Sequence, residues 1–136
     1  MLMLLNRKRW GDPVTESVKL NSVEIWSLAN LTQDTHPIHL HMVRFQVLNR
    51  QRFDVDEYLM SGKMVYAGPL IPPLENETGW KDTVRADAGL ITRIIIPFEG
   101  YPGRFVWHCH VLEHAANEMM RPFRVLAPST QPRTSV

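Results

Sequence analysis

The sequence predicts an all-β protein, an antiparallel sandwich or barrel. Three observations carry that expectation: short β-branched and aromatic runs at fairly even spacing, turn residues between them, and almost no stretch with helical periodicity. With 136 residues, 44% of them hydrophobic, the chain can bury one real core, and nothing in it repeats. One domain over residues 1–127 is expected, followed by a flexible tail over 128–136.

Taken in order, the run Val23-Glu24-Ile25-Trp26-Ser27-Leu28 alternates as a half-buried strand does and leads into a histidine cluster. Val43, Phe45 and Val47 form a second period-two run, which Asn49-Arg50 is expected to break. Residues 50–79 turn charged and glycine-rich, with prolines at 69, 72 and 73, and read as a long surface connection. Trp80 to Val84 and Ile91 to Phe98 resemble two strands joined by a turn at Ala86-Asp87-Ala88-Gly89, with Pro97 at the end of the second. Tyr101-Pro102-Gly103 is a turn before the strand Arg104–His108. Val111 to Met119 has room for two turns of helix, stopped by Pro122, and Phe123–Leu126 closes the fold.

Charge excludes some partners. Fifteen basic and fourteen acidic side chains leave a formal net charge of +1 with no long block of one sign, so neither nucleic acid nor an anionic membrane finds its electrostatic footprint. The apolar start at Met1–Leu5 is too short for a signal core, and its cations Arg7, Lys8 and Arg9 follow it instead of preceding it. No stretch approaches a membrane span. The compartment is not legible.

The chemistry is concentrated in two clusters that hold all six histidines: His36-Pro37-Ile38-His39-Leu40-His41, and His108-Cys109-His110 with His114. The single cysteine cannot form an internal disulfide, so Cys109 is a core thiol, a nucleophile or a metal ligand, and three histidines within five residues favour metal. Cys109, His114 and Met119 follow the spacing C-x4-H-x4-M. One short loop can therefore bring a thiolate, an imidazole and a thioether around one ion, with a distant histidine completing a blue-copper donor set. Zinc is the rival, although structural zinc sites favour paired cysteines. Taken singly, Met119 and Met120 read as core residues; only the spacing from His114 raises Met119.

Strand alternation divides the donors. His108 and His110 point away from the face that Cys109 uses, and His39 and His41 share one face by the same i, i+2 relation, while His36 lies across Pro37. A second metal site is expected on the opposite side.

HPIHLH at 36–41 and HCHVLEH at 108–114 resemble the two C-terminal copper signatures of multicopper oxidases. DPVTE, EIW, FQVL and GWKDTV resemble bacterial laccases of the spore-coat type, and the match runs from about Leu4 to Leu126. The resemblance implies a cupredoxin-like Greek-key β-sandwich or barrel with a short helix after the cysteine, the last of three such domains in those enzymes. It implies copper as cofactor, with His36, Cys109, His114 and axial Met119 on the type 1 copper, His39 on the type 2 copper, and His41, His108 and His110 on the type 3 pair. It also implies a laccase-type oxidoreductase in which Cys109, His114, His108 and His110 carry electrons from phenolic or other small reducing substrates to dioxygen. Spore coat or cytoplasm are the compartments it points to. Relatives of that type often carry an acid directly after the second type 1 histidine; here the residue is Ala115, with Glu113 and Glu118 nearby. Asp82 is a candidate partner for a ligand histidine or else a strand-end cap.

A trinuclear site in this family takes eight histidines, and this chain supplies four of them. N-terminal cupredoxin domains or a second copy of the chain would have to supply the rest. The alternative is a stand-alone blue-copper electron-transfer or copper-binding cupredoxin, which has no use for His39, His41, His108 and His110.

Overall fold

A computed structural model describes residues 3–128. Its eight strands are β1 (Glu16–Lys19), β2 (Val23–Ala29), β3 (His36–Leu40), β4 (Gln46–Arg52), β5 (Thr83–Ala86), β6 (Leu90–Pro97), β7 (Gly103–Cys109) and β8 (Met120–Leu126). Two short helices join them, α1 (Val55–Ser61) and α2 (Leu112–Ala116). The strands form a five-stranded sheet ordered β1-β8-β7-β3-β5 and a three-stranded sheet ordered β2-β6-β4. Every pairing is antiparallel except β1 with β8, which is parallel and which the sequence reading had not separated out. The expected tail, beyond Pro128, lies outside the described residues.

The core fills the space between the sheets with Phe45, Ile94, Ile96, Phe98, Trp107 and Phe123. Trp26 decides the phase of β2. Its ring packs at 5.5 Å from Trp107 and 5.8 Å from Phe98, so Glu24, Trp26 and Leu28 turn inward while Val23 and Ile25 stay exposed. The inward carboxylate of Glu24 accepts a hydrogen bond from the indole N–H of Trp26 at 3.0 Å.

Several boundaries differ from the sequence reading, among them β5, which begins at Thr83 instead of Trp80 and takes in Ala86 from the expected turn. β4 runs through Asn49-Arg50 because a bulge between Val47 and Asn49 resets its alternation and turns Arg50 inward. Arg50 is tolerated there by a bidentate pair with Glu77, at 2.8 and 2.6 Å, and by the carbonyl of Arg85. The 50–79 connection also contains α1, capped at its start by Asp54 and at its end by Gly62 with φ 74°. Finally, α2 stops after five residues and β8 starts at Met120, so Pro122 lies within a strand. Pro122 is tolerated because β1 pairs with β8 only from Phe123 onward, leaving that side of Pro122 without a strand partner.

Candidate metal centre

β3 and β7 are antiparallel neighbours, with Ile38 opposite Cys109 and His39 opposite His108. Successive residues alternate between the two faces of this pair, and that places the donors. His36, Ile38 and Leu40 face the core with Trp107 and Cys109, while His39 and His108 face outward.

On the inner face, His36 begins β3, Cys109 ends β7, and α2 returns His114 beside them. The Nδ1 atoms of His36 and His114 are 3.2 Å apart, and the Sγ of Cys109 lies 3.7 Å from the first and 3.5 Å from the second. Three ligands in a plane at ordinary metal–nitrogen and metal–sulfur bond lengths would stand about 3.5 Å apart for N···N and about 3.7 Å for N···S. The donors thus fit a small ion held by two nitrogens and one sulfur, with little movement. His36 and Cys109 are buried, whereas His114 sits half-buried on α2.

The loop that carries the thioether is closed by its own backbone. The amide of Met119 donates to the carbonyl of His114, and the amide of Cys109 donates to the carbonyl of Met119, both at 3.1 Å. Met119 is buried in the same apolar cluster as Cys109. Glu118, with φ 78°, makes the turn, and its carboxylate accepts the amide of Trp10 at 2.7 Å. Arg121 is fully buried and donates to the carbonyls of Arg9, Asp12 and Pro13, so residues 9–13 are strapped against this loop. Of the acids near Ala115, Glu118 is therefore occupied and Glu113 is exposed.

On the outer face, donor atoms of His39, His41 and His108 lie within 4.8 Å of one another. The Nε2 atoms of His41 and His108 are 3.1 Å apart. The Nδ1 of His108 faces the carbonyl of Cys109 and that of His39 faces the carbonyl of Asp82, both at 3.0 Å. Carbonyl oxygens only accept, so each ring carries its proton on Nδ1 and keeps the Nε2 lone pair free for a metal. Asp82 meets His39 through this backbone carbonyl, with its carboxylate farther off at 3.5 Å. His110 is exposed and outside the three-donor group, with its ring 5.6 Å from His108 and 5.8 Å from His39.

Burial and neighbouring charge shift three of these donors, His36, His41 and Cys109. Burial first, and then neighbouring His114, hold His36 below the usual imidazole range against the opposing pull of Asp34. His41 is lowered by burial and then by His39, His108 and His110. Burial pushes the Cys109 thiol up, against a backbone hydrogen bond from Val111, so the thiolate forms when a metal takes the place of its proton.

Sequence reasoning had not singled out Asn30, Thr32, Arg121 or Trp10. Thr32 and Asn30 stand just before His36 in a polar loop, but their side chains become informative only once β3 and β5 are paired.

Comparisons with known proteins point to one family. The multicopper oxidase family profile matches residues 3–129. A laccase of Bacillus subtilis (strain 168) is 54% identical over 127 residues, covering 93% of this chain and 25% of that protein. A laccase of Haloferax volcanii is 46% identical over 112 residues, covering 81% of this chain and 16% of that protein. Among solved structures, the McoA multicopper oxidase of Aquifex aeolicus superposes with a TM-score of 0.71 at 27% identity, covering 90% of this chain and 26% of that one. The chain belongs to the multicopper oxidase family, which makes copper its metal, and its histidine and cysteine groups could hold that ion. It spans about a quarter or less of the length of these relatives.

Proposed function

We propose that residues 1–127 are the C-terminal cupredoxin domain of a laccase-like multicopper oxidase, holding a type 1 copper and half of a trinuclear site. The observation that carries this reading is the placement of two donor groups on opposite faces of one strand pair, joined by the adjacent residues His108 and Cys109. His36, Cys109 and His114 would hold the type 1 copper, with Met119 as its further ligand; His39 would serve the type 2 copper, and His41, His108 and His110 the type 3 pair. When bound, copper supplies one-electron redox chemistry between a phenolic or other small reducing substrate and dioxygen.

The chain's own residues set the terms of that chemistry. Buried Cys109 and His36 keep water from the thiolate, and half-buried His114, beside exposed Leu112, is the edge that an organic donor reaches. The Nδ1–H of His108 returns to the carbonyl of Cys109, so the two donor groups are linked both by peptide bonds and by one hydrogen bond. A simple electron carrier has no use for the outer group, which favours the oxidase reading. The spore coat is the location that the likeness to spore-coat-type laccases supports.

Four outer histidines need four more. Adding N-terminal cupredoxin domains of a laccase to the copper-loaded chain should give dioxygen uptake with a phenolic donor, and the chain by itself should give none. Dioxygen uptake that survives replacement of His108 and His41 would contradict the shared site. If a second copy replaces those domains, sedimentation and copper counting will find a dimer with more than one copper per chain; a monomer with one copper per chain would exclude self-assembly.

A further inference from the structure

The far side of His36 carries a hydrogen-bonded chain whose direction can be worked out. Asn30 is buried, and its side-chain Nδ2 lies 2.9 Å from the carbonyl of Ala86 on β5 and 2.7 Å from that of Asp34. Carbonyls accept, so this end of the amide is the NH2 group. Its Oδ1 then accepts the backbone N–H of Thr32 at 2.9 Å, which fixes the orientation a second time.

The hydroxyl of Thr32 is 2.8 Å from the same Oδ1. The carbonyl of Asp34 is 3.2 Å away as well, and neither oxygen can donate, so the hydroxyl spends its one proton on one of these two acceptors. Its lone pairs are left to face the Nε2 of His36, 2.8 Å away, and the amide of Asp34 at 3.3 Å. The His36 ring must therefore carry its proton on Nε2 and leave the lone pair on Nδ1, the atom 3.2 Å from His114 and 3.7 Å from Cys109.

We propose that Asn30 and Thr32 are positioning residues that set the tautomer and ring orientation of His36, so that its Nδ1 is presented to the metal before any metal arrives. This rests on the reading of His36, Cys109 and His114 as one copper site. The chain Ala86 carbonyl, Asn30, Thr32, His36 ties the ligand to β5, on the far side of β3 from β7 and Cys109. Accepting a proton from Nε2 also makes the imidazole a stronger donor at Nδ1.

Two measurements on the full chain test it. Long-range proton–nitrogen NMR of the metal-free protein should show His36 as the Nε2–H tautomer. Thr32→Val fills the same volume without the hydroxyl; it should mix the tautomers and weaken copper(II) binding about 10- to 100-fold. Thr32→Ser, which keeps the hydroxyl, should restore both. An Nδ1–H tautomer in the unaltered chain would overturn the proposal, as would a Thr32→Val protein with unaltered tautomer and affinity. An unaltered chain that has the Nε2–H tautomer but binds no copper through Cys109 would contradict the copper reading and uphold the tautomer assignment.

Discussion

Replacing Glu77 with leucine should destabilise the fold severely although Glu77 is far from the metal donors in sequence. Its carboxylate is the bidentate partner of Arg50, whose side chain is 4% exposed, and Glu77 itself is 12% exposed. Removing one member of a buried pair leaves a desolvated charge and costs about 3–5 kcal/mol. Arg50 would keep its bonds to the carbonyl of Arg85, at 2.8 and 3.3 Å, and Asp87 at 3.8 Å, which places the loss near the lower end, about 3 kcal/mol. With a urea m-value of about 1.5–2 kcal/mol per molar, the unfolding midpoint should fall by roughly 1.5–2 M. The double variant Arg50→Met with Glu77→Leu should recover much of this, since no charge is then left buried. A fall below about 0.5 M for Glu77→Leu, or a double variant no more stable than the single one, would refute the reasoning, because either result would mean that Arg50 is solvated or satisfied without Glu77.

Other outcomes follow from the same structure. His41→Ala with His108→Ala should abolish copper uptake beyond the first ion while leaving the visible absorption of the thiolate site, checked by metal analysis beside the spectrum. Arg121→Met strands the carbonyls of Arg9, Asp12 and Pro13 and frees the strap, so the amide of Trp10 should exchange with solvent much faster, as hydrogen exchange will show. Stability of the metal-free chain should fall with acid in two stages. His36 and His41 have lowered folded pKa values, so below about 6.5 the unfolded chain binds protons that the folded one refuses, and their contribution is complete only above that pH. Glu77, depressed first by its hydrogen bond to Arg50, contributes above its unfolded pKa of about 4.3 and loses that contribution as pH falls through its folded value. Urea midpoints measured across pH should trace both stages.

Much of the metal geometry was legible because alternation in a strand depends only on counting residues. The parity of Cys109 and His108 separates inner from outer donors on one strand before any fold is known, while the side on which His39 falls follows from the β3–β7 register. What escaped depends on partners distant in sequence. Asn49-Arg50 looks like the end of a strand because a buried arginine needs a counterion, and Glu77 stands 27 residues away. Pro122 looks like a stop because its tolerance depends on where β1 begins to pair. Thr32 is an ordinary loop threonine until β5 brings the carbonyl of Ala86 to Asn30. The phase of β2 escaped for a different reason: Val23 and Ile25 are as apolar as Leu28, and only the packing of Trp26 on Phe98 and Trp107 decides which set is buried.

The central claim, that His36, Cys109 and His114 hold one copper ion through a thiolate, is tested most directly by the visible spectrum of the chain as copper(II) is added. An intense blue thiolate-to-copper band, saturating with the first ion and absent from Cys109→Ser, is the predicted result. A colourless chain that binds zinc as tightly as copper, with or without Cys109, would contradict it.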